Sequence, residues 1–135
     1  MPEIIELFPT PLYRNNIPVD DKTKNIILNF PYERYTTGMF THTHVLEEPG
    51  MEGLRSQIYK ELDYYIYEYL KVVPEIEYYI TTSWVMKHVK GDYTVHHCHT
   101  NSIFSGVVYI EVDENTGGIK FTRDAKCYNL SLIHI

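Results

Sequence analysis

Thr94-Val95-His96-His97-Cys98-His99-Thr100-Asn101-Ser102-Ile103-Phe104-Ser105-Gly106-Val107-Val108-Tyr109 is the stretch on which the fold turns. Read as two strands, Thr94–His99 and Ile103–Glu111, it bends at Thr100-Asn101-Ser102. Alternate residues of a strand point to the same side, so His97 and His99 would converge on one point, as two ligands of a single metal ion must. Neutral imidazole is a common ligand for Fe(II), Zn and Cu. A strand, a His-x-His, a turn and a second strand form half of a metal site inside a β-barrel. Spacing alone also allows two solvent-facing histidines on a polar strand. His96 points away from the pair and reads as structural, and Cys98, facing the other way, as a small buried apolar residue rather than a nucleophile.

Outward from this stretch the period stays β. Upstream, Ile80, Thr82, Trp84, Met86 and His88 alternate with Thr81, Ser83, Val85, Lys87 and Val89, and Gly91-Asp92 marks a turn. Trp84 is expected as a core anchor and His88 as a satisfied wall residue. Downstream, residues 113–118 read as a hairpin connection, with short strands at Ile119–Thr122 and Tyr128–Ile133. The first half of the chain is different. Glu3–Tyr13 is a short extended opening bent by Pro9 and Pro11, suited to an edge strand or a loop. Asp20 caps a short helix that Pro31 ends. Pro31–Glu48 is polar and Thr-rich, a loop with a short extended piece. Leu54, Ile58, Leu62, Ile66 and Tyr69, with Tyr65, recur at helical spacing. They predict a helix over Gly50–Lys71, stopped by Pro74, with its stripe on a sheet face. Helices first and consecutive strands after favour an α+β fold with an antiparallel sheet or barrel.

The chain has 135 residues, enough for one domain, divided into a helical part (1–75), a barrel part (76–130) and a short tail (131–135). Net charge is −6, which argues against a general grip on a phosphate backbone, so nucleic acid is not indicated. Two cysteines imply no disulfide framework and a reducing compartment. No stretch reaches the apolar length of a membrane span, and the N-terminus lacks a signal-peptide pattern. The expectation is a soluble cytoplasmic protein without a membrane partner. A second His-x-His, His42-Thr43-His44, reads mostly as surface chemistry, with the further options of supplying a ligand or lining the mouth of a pocket. Ser102, His97 and Asp113 could be assembled into a catalytic triad, but no nucleophile elbow supports one.

These residues resemble a known family. Ser83-Trp84-Val85, Lys90-Gly91-Asp92-Tyr93, His97-Cys98-His99-Thr100-Asn101-Ser102 and Phe104-Ser105-Gly106-Val107-Val108-Tyr109-Ile110 look like the core of a group of 2-oxoglutarate/Fe(II)-dependent oxygenases common in marine phages and bacteria. Leu7-Phe8-Pro9-Thr10-Pro11-Leu12-Tyr13 is similar to the opening of such chains, and Gly117-Gly118-Ile119-Lys120-Phe121 to a later strand. The resemblance implies a double-stranded β-helix, a jelly-roll or cupin-like barrel with flanking helices. It implies Fe(II) held by His97 and His99 with 2-oxoglutarate as cosubstrate. Asn101, Ser105 and Tyr109 are candidates for lining the cosubstrate pocket. The resemblance implies that, with O₂, the small-molecule cosubstrate is decarboxylated to succinate and CO₂ as the substrate is hydroxylated, in the host cytoplasm if the chain is phage-encoded.

The chain departs from the family pattern in two places. His99 stands where most of the superfamily has a carboxylate, although the group it resembles often has His there. A third, distal His and a 2-oxoglutarate-binding Arg belong on later strands, and only His134 and Arg123 follow the motif. Ser131-Leu132-Ile133-His134-Ile135 resembles the translated adapter tails of truncated gene models. The expectation is therefore a non-native tail and a barrel incomplete at its C-terminus. The competing functions are a non-catalytic binding or structural protein of the same fold, and a cupin-like Zn or Cu protein.

Overall fold

The computed structural model describes residues 10–99, 101–114, 116–121 and 132–133. Its contacts fall into two compact units, one formed by residues 17–96 and the other by residues 1–16 with 97–135.

The first unit begins with α1 (Asp21–Leu28), capped as expected. Asp20 is extended, and its carboxylate accepts a 2.7 Å hydrogen bond from the Thr23 N–H, one of the donors a helix start leaves unpaired. Thr23 and Ile27, one turn apart, are the buried face. At the other end the Tyr32 hydroxyl donates to the Ile27 carbonyl at 2.8 Å.

Pro31–Glu48 is more ordered than its composition suggests. Strands β2 (Glu33–Tyr35) and β3 (Gly38–Phe40) form an antiparallel hairpin around Thr36-Thr37, with Tyr35 opposite Gly38 and Glu33 opposite Phe40. Neither central residue is the Gly or Asn that advertises a two-residue turn, so the hairpin carries no local signal. What holds it is the third strand, β4 (Met86–Lys87), with Met39 opposite Lys87 and Phe40 opposite Met86. Beyond β3 the chain stays alongside the same segment. The Thr41 N–H donates to the Val85 carbonyl, and the Ser83 N–H and carbonyl bond Thr43 and Val45. The period-two pattern over 80–89 is thus partly realised, as a short strand and an isolated bridge.

The Arg34 guanidinium grips Asp92 with two nitrogens, one at 2.8 Å, and so ties β2 to the turn after β4. Asp92 builds that turn as well. Its N–H donates to the Val89 carbonyl and its carboxylate accepts the Val89 N–H, both at 2.9 Å, while Gly91 takes the left-handed conformation at φ 95°. Hydrogen bonds from Arg34 first, then from Val89, hold the Asp92 carboxyl below the usual carboxylate range.

Helix α2 (Glu52–Asp63) continues through a wider-turned segment, Tyr64–Tyr69, so the helical run covers most of the expected span. Gly50, at φ 88°, turns the chain into it. Leu54, Tyr65 and Ile66 are buried, but Tyr69 is 58 % exposed, contrary to the periodic reading. In the wider segment the Leu70 N–H reaches back five residues to Tyr65, which shifts the phase of the stripe before Tyr69 is reached. Tyr69 instead stacks on Tyr65 at 5.7 Å. The stripe packs against a tight turn at Val45–Glu47. Val45, Leu46, Met51 and Leu54 supply much of the core, with Ile27, Tyr65 and Ile66. After the helix, Tyr78 lies 5.9 Å from the Tyr59 ring and 5.8 Å from the Tyr67 ring, and its hydroxyl donates to Asp63 at 2.6 Å. Burial and that carboxylate push the Tyr78 phenol far above its ordinary pKa.

In the second unit, β1 (Leu12–Tyr13) pairs in parallel with β5 (Leu132–Ile133). The expected connection at 113–118 contains a closed turn: the Thr116 N–H donates to the Asp113 carbonyl, and the Asp113 N–H to the Thr116 hydroxyl. Among the described residues no strand is present at 94–99 or 103–111, and no barrel is seen. A strand exists only when paired, and a barrel would draw part of its pairing from the chain after Phe121, most of which lies outside the described residues. What is present is an α+β arrangement of two helices and a small antiparallel sheet, with a separate parallel pair.

Candidate metal centre and a separate cleft

His97 and His99 lie together. Their ring centroids are 4.8 Å apart and the rings meet edge to face at 72°. His97 is exposed and His99 half-buried. Burial first, and the neighbouring His97 second, lower the His99 pKa. Both effects favour the neutral imidazole, the form with a lone pair to give a metal. A turn follows at once, with the Ser102 N–H donating to the His99 carbonyl at 3.4 Å. The spacing of the pair was legible in the sequence, and the structure brings the two rings into contact without a strand beneath them.

The residues named around the pair are distributed less evenly. Ser105 is half-buried, Asn101 is exposed, and Tyr109 is 48 % exposed. Among the described residues no group of three His, Cys, Asp or Glu side chains is placed to hold a metal. His134 and Arg123 lie outside the described residues. Two imidazoles suit a borderline cation such as Fe(II) and supply part of a ligand set. Cys98 is half-buried, in line with its reading as a small apolar residue.

Trp84 is 38 % exposed, so it does not anchor the core. Ser83 and Val85 on either side bond residues 41–46, and strand alternation turns Trp84 to the opposite face. His88 is exposed, with its ring against Gly38, where a Cβ would come within 2.7 Å of the imidazole. His42 is accounted for structurally: its Nε2 pairs with Glu48 at 3.2 Å and its Nδ1 accepts the His44 N–H at 3.2 Å.

His44 lines a cleft of about 60 Å³ within residues 17–96, together with Glu47, Arg55, Tyr59, Thr82 and Ser83. Its lining of a pocket mouth was open in the sequence. Arg55 and Tyr59, one helical turn apart, carried no mark of the cleft, because the segments facing them come from residues 44–47 and 80–83.

Residues 82–133 match the family model described as "Putative 2OG-Fe(II) oxygenase". The match covers less than half of the chain but contains His97, His99, Asn101, Ser105 and Tyr109, and it supports the resemblance that these residues carry. No curated protein and no solved structure matches the chain. No helix of the described residues is long and apolar enough to cross a membrane.

Proposed function

We propose that this chain is a non-haem Fe(II)/2-oxoglutarate-dependent dioxygenase, a hydroxylase in which His97 and His99 are two of the iron ligands. The observation that carries this reading is the contact between two imidazoles, one biased towards its neutral form, inside the segment that matches the oxygenase family. The reading includes a single domain over residues 1–135 built on a double-stranded β-helix. Fe(II) with 2-oxoglutarate would activate O₂, one oxygen atom entering succinate as 2-oxoglutarate loses CO₂ and the other replacing a substrate C–H by C–OH.

The chain's own residues have simpler tasks. His97 and His99 donate neutral nitrogens, so together they leave the cation's charge uncompensated and favour an anionic cosubstrate beside it. Ser105, Asn101 and Tyr109 orient that cosubstrate through hydroxyl and amide hydrogen bonds.

Anaerobic titration of the 135-residue protein with Fe(II) and 2-oxoglutarate tests the proposal. The expected result is a weak visible charge-transfer band that requires both additions. His97→Ala should abolish it, at a cost in iron affinity beyond the about 10–100-fold typical of an outer-shell partner. Tight zinc or copper binding indifferent to 2-oxoglutarate would replace this reading with a cupin-like metal protein. No metal binding at all would leave a binding or structural protein of the same fold. A band that survives His97→Ala would remove the ligand assignment.

A further inference from the structure

We propose that the cleft between α2 and the Ser83 segment is a binding site for the carboxylate group of a small molecule, independent of the His97–His99 centre. The argument is an account of donors and acceptors. The Tyr59 hydroxyl accepts the Ile80 N–H at 3.4 Å, and the Ser83 hydroxyl accepts the Leu46 N–H at 3.1 Å. Each oxygen is thereby supplied with a donor and keeps its own proton to give. Neither hydroxyl donates to another described residue, and the Thr82 hydroxyl has no partner among the described residues. Arg55 lines the same cleft; its guanidinium makes no hydrogen bond or ion pair with a described residue, although its charge acts on the Glu52 carboxylate three positions back on α2.

Three hydroxyl-bearing residues and an arginine therefore line one concavity. The complementary ligand accepts only, is negatively charged, and is planar enough for the guanidinium fork, which describes a carboxylate. The volume, about 60 Å³, equals the liquid share of roughly two water molecules. It suits a carboxylate head, with the remainder of the molecule outside. Leu46 and Ile80 complete the wall and would contact the first carbon of the acid. Glu47, also in the lining, opposes an anion. It sets the sign of one variant below.

Amide chemical shifts of the ¹⁵N-labelled 135-residue protein, followed on addition of sodium acetate at constant ionic strength, provide the test. Acetate should produce saturable shifts at Leu46, Ile80 and Ser83. Arg55→Gln should weaken binding by about tenfold, Arg55→Lys by less, because the charge stays and the fork is lost. Glu47→Gln should tighten it. Shifts that rise linearly, that chloride reproduces, or that persist in Arg55→Gln overturn the site. Tighter binding of inorganic phosphate than of acetate overturns its carboxylate class. Dispersed amide spectra of the variants establish that they fold, and Arg55→Lys, the milder change, decides the matter if Arg55→Gln does not. His97→Ala should leave acetate binding unchanged, so this result and the iron titration succeed or fail separately.

Discussion

Single residues set the entry into the largest helix. Gly50 takes φ 88°, a region that costs an L-residue roughly 1–2 kcal/mol, and a Cβ there would meet the Ile26 Cδ1. Gly50→Ala should therefore destabilise the protein by about 1–2 kcal/mol, measured as a shift in urea midpoint at unchanged m-value. Asp20 works by pairing instead: its bond from the Thr23 N–H both starts α1 and lowers its own pKa. The Asp20 cap was legible because capping is a contact three residues long. The need for Gly at position 50 was not, since a positive φ is visible only once the chain direction on both sides is known. The pair at 97 and 99 was legible as a two-residue spacing that keeps the rings close, although their edge-to-face contact forms without the strand that alternation assumes.

Between elements, the Arg34–Asp92 grip joins residues 58 positions apart. Asp92 has a lowered pKa in the folded state. Its contribution is therefore complete above the carboxylate's unfolded value, about 3.9, and is lost as pH falls through the lower folded value. Thermal midpoints taken from about pH 6 down to about pH 3 should decline more steeply in the wild type than in Asp92→Asn, which has already lost the titrating group. Equal slopes would show that the pair contributes nothing measurable, the common outcome for exposed ion pairs. Here two nitrogens engage one carboxylate whose side chain is only 4 % exposed, which favours a measurable effect. The β2–β3 hairpin belongs to this scale too. Composition reads Pro31–Glu48 as a loop with a short extended piece, whereas it supplies β2 at one edge and β3 in the middle of the three-stranded sheet.

For the molecule as a whole, the described apolar core lies in residues 17–96, around Ile27, Val45, Leu46, Met51, Leu54, Tyr65 and Ile66. So few fully buried side chains make each one a large share of a marginal total. Leu54→Ala should cost about 2–5 kcal/mol, enough to bring cooperative unfolding of this unit close to room temperature, as thermal denaturation followed by circular dichroism would show. The segment after His96 reads differently at this scale. Ile103 is 77 % exposed, and Val112 and Ile119 also keep much of their surface in water.

The sequence by itself determined the local objects: the capped α1, the long helical run after Gly50, the turns at Gly91-Asp92 and Asp113–Thr116, and the proximity of His97 and His99. Each depends on residues within about one turn of one another, where period, capping and φ preference act directly. Tertiary structure alone decided the three-stranded sheet, the exposure of Trp84, the Arg34–Asp92 grip and the cleft around Arg55. Those depend on which distant segment arrives beside a residue, and neither hydrogen-bond donors nor apolar surface name their partners in advance.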